Sequence, residues 1–552
     1  MGKRKMVIRL GLFFLVLCCL SCLSKPKTNQ KTPGERPNII LILSDDMGYS
    51  DIASYGGEIK TPNLSYLSDN GLKYTQFYNF ARCCPTRAAL MTGCYPHQTG
   101  IGHMTNTPVD STSHDYGTPE YQGKLNFNTV TIAEVLKEAG YRTYMTGKWH
   151  LGYHDRETWP QQRGFDKFYG LIPGASNFFK PTYPRGISSG NDTISINDPD
   201  FYTTDAFTDM AISFIDSPAT DKEEPFFLYL AYTAPHWPIQ APKENIDTYR
   251  DRYDQGWEKL REQRFSKMME MGLLDTEWEL SPSDAPQWDS LSLDKKNEMS
   301  LRREIYAGMV DRMDENIGKL IEYLKATDRL DNTLILFTND NGACAEGGMF
   351  GGGPASQLET EEGYFLTYGK AWANASNTPF REYKHWVHEG GIATPLIVHW
   401  PKGIKKDRKG KTVRQPGSVQ DLMATCIDVA GAKYPEHYNG NTIVPHSGKS
   451  IVPTFTDNST VIHHGPLFWE HEGNKAVRLG KFKLVQKWQH NKTQKWELYD
   501  MEKDRTEMND IALQHSGLRD SMALLYAEWA KKINVLPWDE AYGIWKSKSK
   551  NQ

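Results

Sequence analysis

Asp45-Asp46 and Asp340-Asn341 are two pairs of short, oxygen-bearing side chains set far apart in the chain. Each directly follows an apolar run, NIILIL (38–43) and NTLILFT (332–338). Carboxylates brought together repel, and removing their water is costly unless a cation sits among them. A ligand set made only of oxygen selects a hard ion, calcium or magnesium, over zinc. Taken singly, either pair is also ordinary turn chemistry. Two further polar groups follow apolar runs in the same way: Lys148 and His150 after YRTYMTG, and His236 after PFFLYLAY (225–232). Ligands of open α/β sheets bind beyond the carboxyl ends of the strands. Four such ends in one chain therefore point to one site.

The stretch ARCCPTRAALMTG (81–93) adds a different chemistry. Pro85 is preset for the first turn of a helix and Gly93 suits its end. Cys83 and Cys84 then lie at a helix N-terminus, where the dipole lowers a thiol pKa and favours anions. Arg87, one turn in, offers a planar fork to an oxyanion. Two other readings stand beside this one. The cysteines are small apolar groups at a cap, or Cys83, Cys94 and His97 hold zinc at an irregular spacing.

These residues need a scaffold that gathers strand ends. Continuous apolar runs suit parallel strands buried on both faces. Between them lie helical patterns. TVTIAEVLKEAG (129–140) carries a Thr131/Glu134 capping box and a Gly140 stop, a long helix covers 301–325, and VQDLMATCIDVAG (419–431) is a third. TPLIVHW (394–400) is a further strand. The fold class expected is α/β, a large doubly wound, mostly parallel sheet flanked by helices. Residues 240–300 interrupt the alternation and read as a helical excursion over the sheet edge. Beyond about 460, PLFW, KAVRLG, FKLVQKW and KWELYD alternate like an antiparallel meander, and SGLRDSMALLYAEWAKKI follows as a helix. The expected division is a catalytic domain over 37–455 and a smaller α+β subdomain over 460–552.

Residues 1–24 read as an export signal, with Lys3, Arg4, Lys5 and Arg9 preceding a short apolar run. Ser21-Cys22 suggests a lipobox, with Cys19 departing from its usual aliphatic residue. Residues 25–36 form a polar tether. The expectation is an exported protein, periplasmic or anchored by lipid to a bacterial outer membrane. Three of the eight cysteines lie in this leader; the remaining five are an odd number with no CxxC pair, which argues against a disulfide framework. A formal charge of -4 gives no reason to expect nucleic acid. The 15 Trp and 28 Tyr suit a carbohydrate pocket as well as a core.

Cys83-Cys84-Pro85-Thr86-Arg87 resembles the C-x-P-x-R signature of the type I sulfatases, a branch of the alkaline phosphatase superfamily. RPNIILILSDDMGYSD, TGKWHLG, APHWP, FTNDNG, NTPFREYKHWVHEGGIATP and KWELYDMEKDRTEMND resemble the family's blocks, in family order, from about 36 to 510. YGKAWANASNTPFREYKHWVHEGG is similar to the bacterial arylsulfatase branch.

The resemblance implies that Cys83 is oxidised to formylglycine by a formylglycine-generating or anaerobic sulfatase-maturating enzyme. It implies that Asp45, Asp46, Asp340 and Asn341 bind Ca2+, with Mg2+ second, together with the oxygen at position 83. Arg87 and Lys148 would hold the hydrated aldehyde and the sulfate charge, and His150 would act as base when sulfate is released. His236 and Lys384, the latter placed by K-x-x-x-x-E-G-G, would contact the sulfate and the departing oxygen. Cys84 stands where Ser, Thr or Ala is commoner in the family. A hydrated aldehyde explains the choice of cysteine: one hydroxyl attacks sulfur, and loss of a proton from the other expels sulfate without water attacking sulfur. The substrate expected is an aryl sulfate or a sulfated saccharide, the saccharide first. The loops at 155–205, 240–300 and 343–380 would decide which. His471 is a further pocket candidate from the second domain. The rivals are a phosphate or phosphonate monoester hydrolase on the same scaffold and a catalytically dead glycan-binding relative.

Overall fold

The computed structural model describes residues 36–105, 114–217 and 224–549. The leader, Cys22 and nearly all of the tether lie outside the described residues. Eleven strands form one sheet: β1 (Asn38–Ser44), β2 (Leu72–Tyr78), β3 (Arg142–Lys148), β4 (Lys167–Leu171), β5 (Ile187–Ser189), β6 (Asp192–Ile194), β7 (Phe226–Ala231), β8 (Thr333–Asn339), β9 (Ala393–His399), β10 (Lys411–Val413) and β11 (Gly417–Ser418). Their order is β10-β2-β9-β8-β1-β7-β3-β4-β5-β6, with β11 also on β2. The central run β8-β1-β7-β3-β4 is parallel throughout, whereas β9 runs against both neighbours. The five central strands are buried along nearly their whole length, as expected for a parallel sheet covered on both faces.

Helices complete the layers. The Thr131 cap closes as its sequence predicts: Glu134 N donates to Thr131 Oγ1 at 3.0 Å, and Thr131 N donates to Glu134 Oε2 at 2.7 Å. Gly140 takes a φ of 78° just beyond that helix, which ends at Glu138. The long helix runs from Leu293 to Ala326, starting eight residues before the apolar periodicity because Ser292 caps it at Lys295 N. The 240–300 excursion holds the short Lys243–Asp247 helix and the Gly256–Glu270 helix, with Trp257 edge-on to Trp288 and Trp372.

Towards the C-terminus, β12 (His437–Tyr438) and β13 (Asn441–Thr442) form a small hairpin. Four strands then make the antiparallel meander: β14 (Leu467–His471), β15 (Asn474–Leu479), β16 (Phe482–Gln486) and β17 (Trp496–Asp500). The helix Ser516–Lys532 covers it, and a helix not anticipated from the sequence, Trp538–Ser549, follows. No helix among the described residues is long and apolar enough to cross a membrane.

Candidate active site

The four strands with polar ends, β8, β1, β7 and β3, are consecutive in the sheet. Neighbouring strands lie about 4.8 Å apart, so a row of strand tips spans only a small pocket. Register sets the tips level. Ser44 pairs with Asn339, so Asp45 stands beside Asp340; Ala231 pairs with both Leu43 and Gly147, which puts Lys148 within one residue of the same row.

The turn after β1 is braced from several sides. Asp46 adopts a φ of 65°, a left-handed conformation that Asp tolerates better than most residues. Asn339 ties the tips of β1 and β8: its Oδ1 accepts from Ser44 Oγ at 3.0 Å and Met47 N at 3.1 Å, and its Nδ2 donates to Met47 O. Asp51, fully buried, accepts from Gly48 N, Arg264, Arg303 and Tyr306. The helix Cys83–Thr92 brings its first residue to the same place, and Gly93 ends it at a φ of 70°.

The resulting cluster is buried and densely paired. Cys83 Sγ lies 3.7 Å from Asp45 Oδ1 and 3.8 Å from Asp46 Oδ1. Arg87 donates through Nε and Nη2 to Asp340 Oδ2 at 3.0 and 2.8 Å, and through Nη1 to Lys148 O at 2.9 Å. Lys148 Nζ donates to Asp45 Oδ2 at 2.7 Å, and Lys384 Nζ to Asp46 Oδ2 at 2.8 Å. Asn341 Nδ2 donates to Asp46 Oδ1 at 2.7 Å. Three carboxylates thus meet three permanent cations, and the cluster is close to neutral by itself.

Its electrostatics follow. Burial and Asp340 push the Asp45 carboxyl up, against Lys148 and Arg87. Burial would raise Asp46 too, but Lys384 above all, with Lys148 and the Asn341 hydrogen bond, outweighs it and holds that carboxyl below its ordinary range. Burial also works against the Lys384 ammonium, which Asp46 holds above the ordinary lysine value. The thiol expectation is corrected here. Burial raises Cys83 well above the ordinary cysteine range, Lys148 and Lys384 notwithstanding, so the helix N-terminus does not leave a thiolate. Cys84 is buried and takes no part; its sulfur accepts from Thr105 N and faces His103 O. Cys94 has its own neighbours in Thr92 O and Val444 O, and His97 pairs with Glu470, so neither joins Cys83 in a zinc set.

The two histidines are fixed in tautomer by carbonyls, which can only accept. His236 Nδ1 donates to Trp237 O at 2.6 Å, leaving Nε2 as a lone pair 3.4 Å from Asp46 Oδ2. Burial lowers its pKa to about 3, Asp46 opposing and Lys384 assisting. His150 Nε2 donates to Thr105 O at 2.9 Å, so its buried Nδ1 keeps a lone pair with no hydrogen-bond partner. Burial and then Lys148 hold it well below the imidazole range.

The donor set fits a hard cation. Asn341 Oδ1 is buried with no hydrogen-bond partner, and two acceptors, His236 Nε2 and Asp46 Oδ2, face one another. One ligand atom from each of Asp45, Asp46, Cys83 and His236 lies within 4.8 Å of the others.

Glu346 and His385 escaped the sequence reading, and His471, a candidate from it, is placed differently. Glu346 sits at the mouth, where Arg82 Nη2 donates to it at 3.0 Å and Trp237 Nε1 at 2.7 Å, with Lys384 Nζ 3.9 Å away. His471 is fully buried and does not itself line the mouth; it packs edge-on behind His385 at 5.2 Å. His385, His471 and Glu472 gather closely. However, Asn474, oriented by Trp488 N, turns its amide nitrogen to His385 Nε2 at 3.4 Å. His385 Nδ1 therefore carries the proton and faces Glu472 Oε2 at 3.4 Å, a hydrogen-bonded chain rather than a set of metal ligands.

The chain matches the Sulfatase family model over residues 37–432. It belongs to the sulfatase family. Residues 381–532 also match the C-terminal model of N-sulphoglucosamine sulphohydrolase. The sulfatase is 33% identical over 539 residues to an uncharacterized sulfatase, PB10D8.02c, of Schizosaccharomyces pombe, covering 92% of this chain and 96% of that one. It is 35% identical over 436 residues to an arylsulfatase of Klebsiella aerogenes, covering 76% and 91%. Its fold is similar to the solved structure of Ps i-CgsB in complex with k-i-k-neocarrahexaose, with a TM-score of 0.67, 28% identity and coverage of 91% and 94%. The sulfatase is a sulfuric ester hydrolase of the alkaline phosphatase superfamily.

Proposed function

We propose that this sulfatase hydrolyses O-sulfate esters of saccharides, with Cys83 matured to formylglycine and a divalent cation among Asp45, Asp46, Asp340 and Asn341. The observation that carries this is the convergence of Cys83 with four strand tips in one buried cluster. Calcium suits the set better than magnesium, because a buried, protein-rich shell of oxygens leaves little room for the waters that magnesium retains. When present, the cation draws charge from the ester oxygens, and the oxidised side chain carries the attacking oxygen.

The chain's own groups supply the rest. Arg87, clamped on Asp340, and Lys148, on Asp45, present fixed positive charge to an incoming anion in a site from which water is largely excluded. His150 offers its Nδ1 lone pair as the base that takes a proton from position 83 when sulfate leaves. His236 holds its proton on a backbone carbonyl and has none on Nε2 to give. Lys384, kept charged by Asp46, is therefore the donor to the departing sugar oxygen. The basic, then apolar, leader supports export, with lipid attachment at Cys22 as the anchored form.

The test measures sulfate release from sulfated galactose and hexosamine and from an aryl sulfate, with calcium, after chelation, and against aryl phosphate. Sulfate release that chelation abolishes and Cys83→Ala removes, with a peptide mass showing the aldehyde at Cys83, is the expected result. An unmodified thiol in maturation-competent cells would favour a glycan-binding role, and faster phosphate release would favour the phosphohydrolase.

A further inference from the structure

Beyond the sulfate cluster, a wall of rings leads out from Trp237. Trp237 stands edge-on to Tyr364 at 5.6 Å and to Phe365 at 4.9 Å. These two rings are 43% and 40% exposed, unusual for large apolar residues in this chain. Arg185 lies over the face of Tyr364, its Cζ 5.1 Å from the ring centroid, and donates through Nη1 to Ala175 O at 3.2 Å. The loops that carry them are joined. Asn177 Nδ2 donates to Glu361 O and Gly363 O, and Lys180 pairs with Glu361 and Glu362. The guanidinium thus sits on a braced wall rather than on a free loop.

Arg185 is half-buried, and among the described residues it has no carboxylate within ion-pair distance. The contrast is with Arg82, tied to the same ring wall through Glu346 and Trp237, which Glu346 neutralises. Holding a guanidinium partly out of water without a counter-charge is unfavourable, and burial lowers the Arg185 pKa accordingly. An anion docking there restores the lost interactions as charge-assisted, two-pronged hydrogen bonds. Exposed aromatic surface beside it suits the C–H face of a sugar ring.

We propose that Arg185, with Tyr364 and Trp237, forms a subsite for a second anionic group, sulfate or carboxylate, on the saccharide unit next to the one that loses its sulfate. This rests on the saccharide reading above and goes further by assigning a polyanionic substrate.

The experiment compares four substrates with the calcium-loaded, matured enzyme and its Arg185→Gln variant. They are an aryl sulfate, a monosulfated disaccharide with a neutral neighbouring unit, the same disaccharide with a second sulfate on that unit, and one with a uronate there. Glutamine loses the charge and keeps a polar side chain. A charge-assisted pair contributes about 1.5–3 kcal/mol, so KM is expected to rise roughly 10- to 100-fold on the doubly charged disaccharides, with kcat retained. The aryl sulfate and the neutral-neighbour substrate are expected to change less than about twofold. A rise confined to the disulfated substrate assigns the group as sulfate, and one confined to the uronate assigns it as carboxylate. Arg185→Lys is expected to recover part of the loss, and Tyr364→Leu to weaken the same substrates by a smaller factor. Equal losses on all four substrates, or none on either doubly charged one, overturn the subsite. Wild-type enzyme inert on every sulfated saccharide but active on the aryl sulfate overturns the saccharide reading instead.

Discussion

At the scale of single residues, proton inventory separates groups that composition alone makes look alike. His236 and Lys384 both touch Asp46, yet only Lys384 carries a proton facing that carboxylate. Lys384→Met is therefore expected to slow poor leaving groups far more than good ones. General acid catalysis contributes about 10²–10⁴-fold, so a sugar sulfate should lose most of that range while an activated aryl sulfate loses little. The leaving-group dependence of kcat/KM checks this, and an equal loss across the series would reassign the donor. Asn341 makes a second case. Its Oδ1 is a buried acceptor with no hydrogen-bond partner, so Asn341→Leu should weaken calcium binding by calorimetry; it also removes the Nδ2 donor to Asp46, so the apo melting temperature should fall as well.

At the scale of elements, long-range caps hold the helices that back the sheet. Asp314, on the long Leu293–Ala326 helix, accepts from Asn63 N, Asn63 Nδ2 and Leu64 N at 2.9, 3.0 and 2.8 Å, closing the N-terminus of the Pro62–Asp69 helix. Asp314→Ala should cost about 1–3 kcal/mol by urea unfolding, the range for an orphaned buried donor set. Burial raises this carboxyl from 3.8 to about 7. The folded state thus favours the proton; the contribution is whole below the unfolded value and lost as pH rises through about 7. The melting temperature of the wild type should accordingly fall more between about pH 5 and pH 8 than that of Asp314→Asn.

At the scale of the whole molecule, a buried ionic knot is among the links that join the C-terminal sheet to the catalytic machinery. Glu389, the first residue of the short helix after the Lys384 loop, accepts from Lys483 of β16 at 2.9 Å and from Arg505 at 2.7 Å. Lys483 also pairs with Glu507 at 2.7 Å, and Glu507 accepts from Glu389 N at 2.8 Å. Burial would raise Glu389, but Lys483 and Arg505 overcome it and lower its pKa to about 2. Removing one member leaves a buried charge unpaired, which costs about 3–5 kcal/mol. Lys483→Met should therefore destabilise the entire chain by that amount and reduce activity from outside the pocket, whereas Glu389→Gln/Lys483→Met should recover part of both. Denaturant curves and kcat on an aryl sulfate report the two effects together.

Most residues of the cluster were legible in the sequence because they belong to local patterns; Lys384 was reached only through the family resemblance. An apolar run followed by Asp-Asp or Asp-Asn marks a strand and its tip, and Cys83-x-Pro85-x-Arg87 marks a helix mouth. Sequence also sufficed for the class of fold, since alternating strand and helix periods leave few ways to bury both faces of a sheet. What no local pattern encodes is adjacency. That β8, β1, β7 and β3 are neighbours, and that Lys148 meets Asp45 while Lys384 meets Asp46, depends on strand order and register. The charge state of Cys83 likewise turned on burial, which outweighs the helix terminus that the sequence displays. Glu346 and Arg185 stayed hidden for the same reason, as did the ionic partners of Glu389, although the residue itself belongs to the K-x-x-x-x-E-G-G motif. Each looks like an ordinary charged residue until distant loops fold against it, because an ionisable group takes its chemistry from what surrounds it in space.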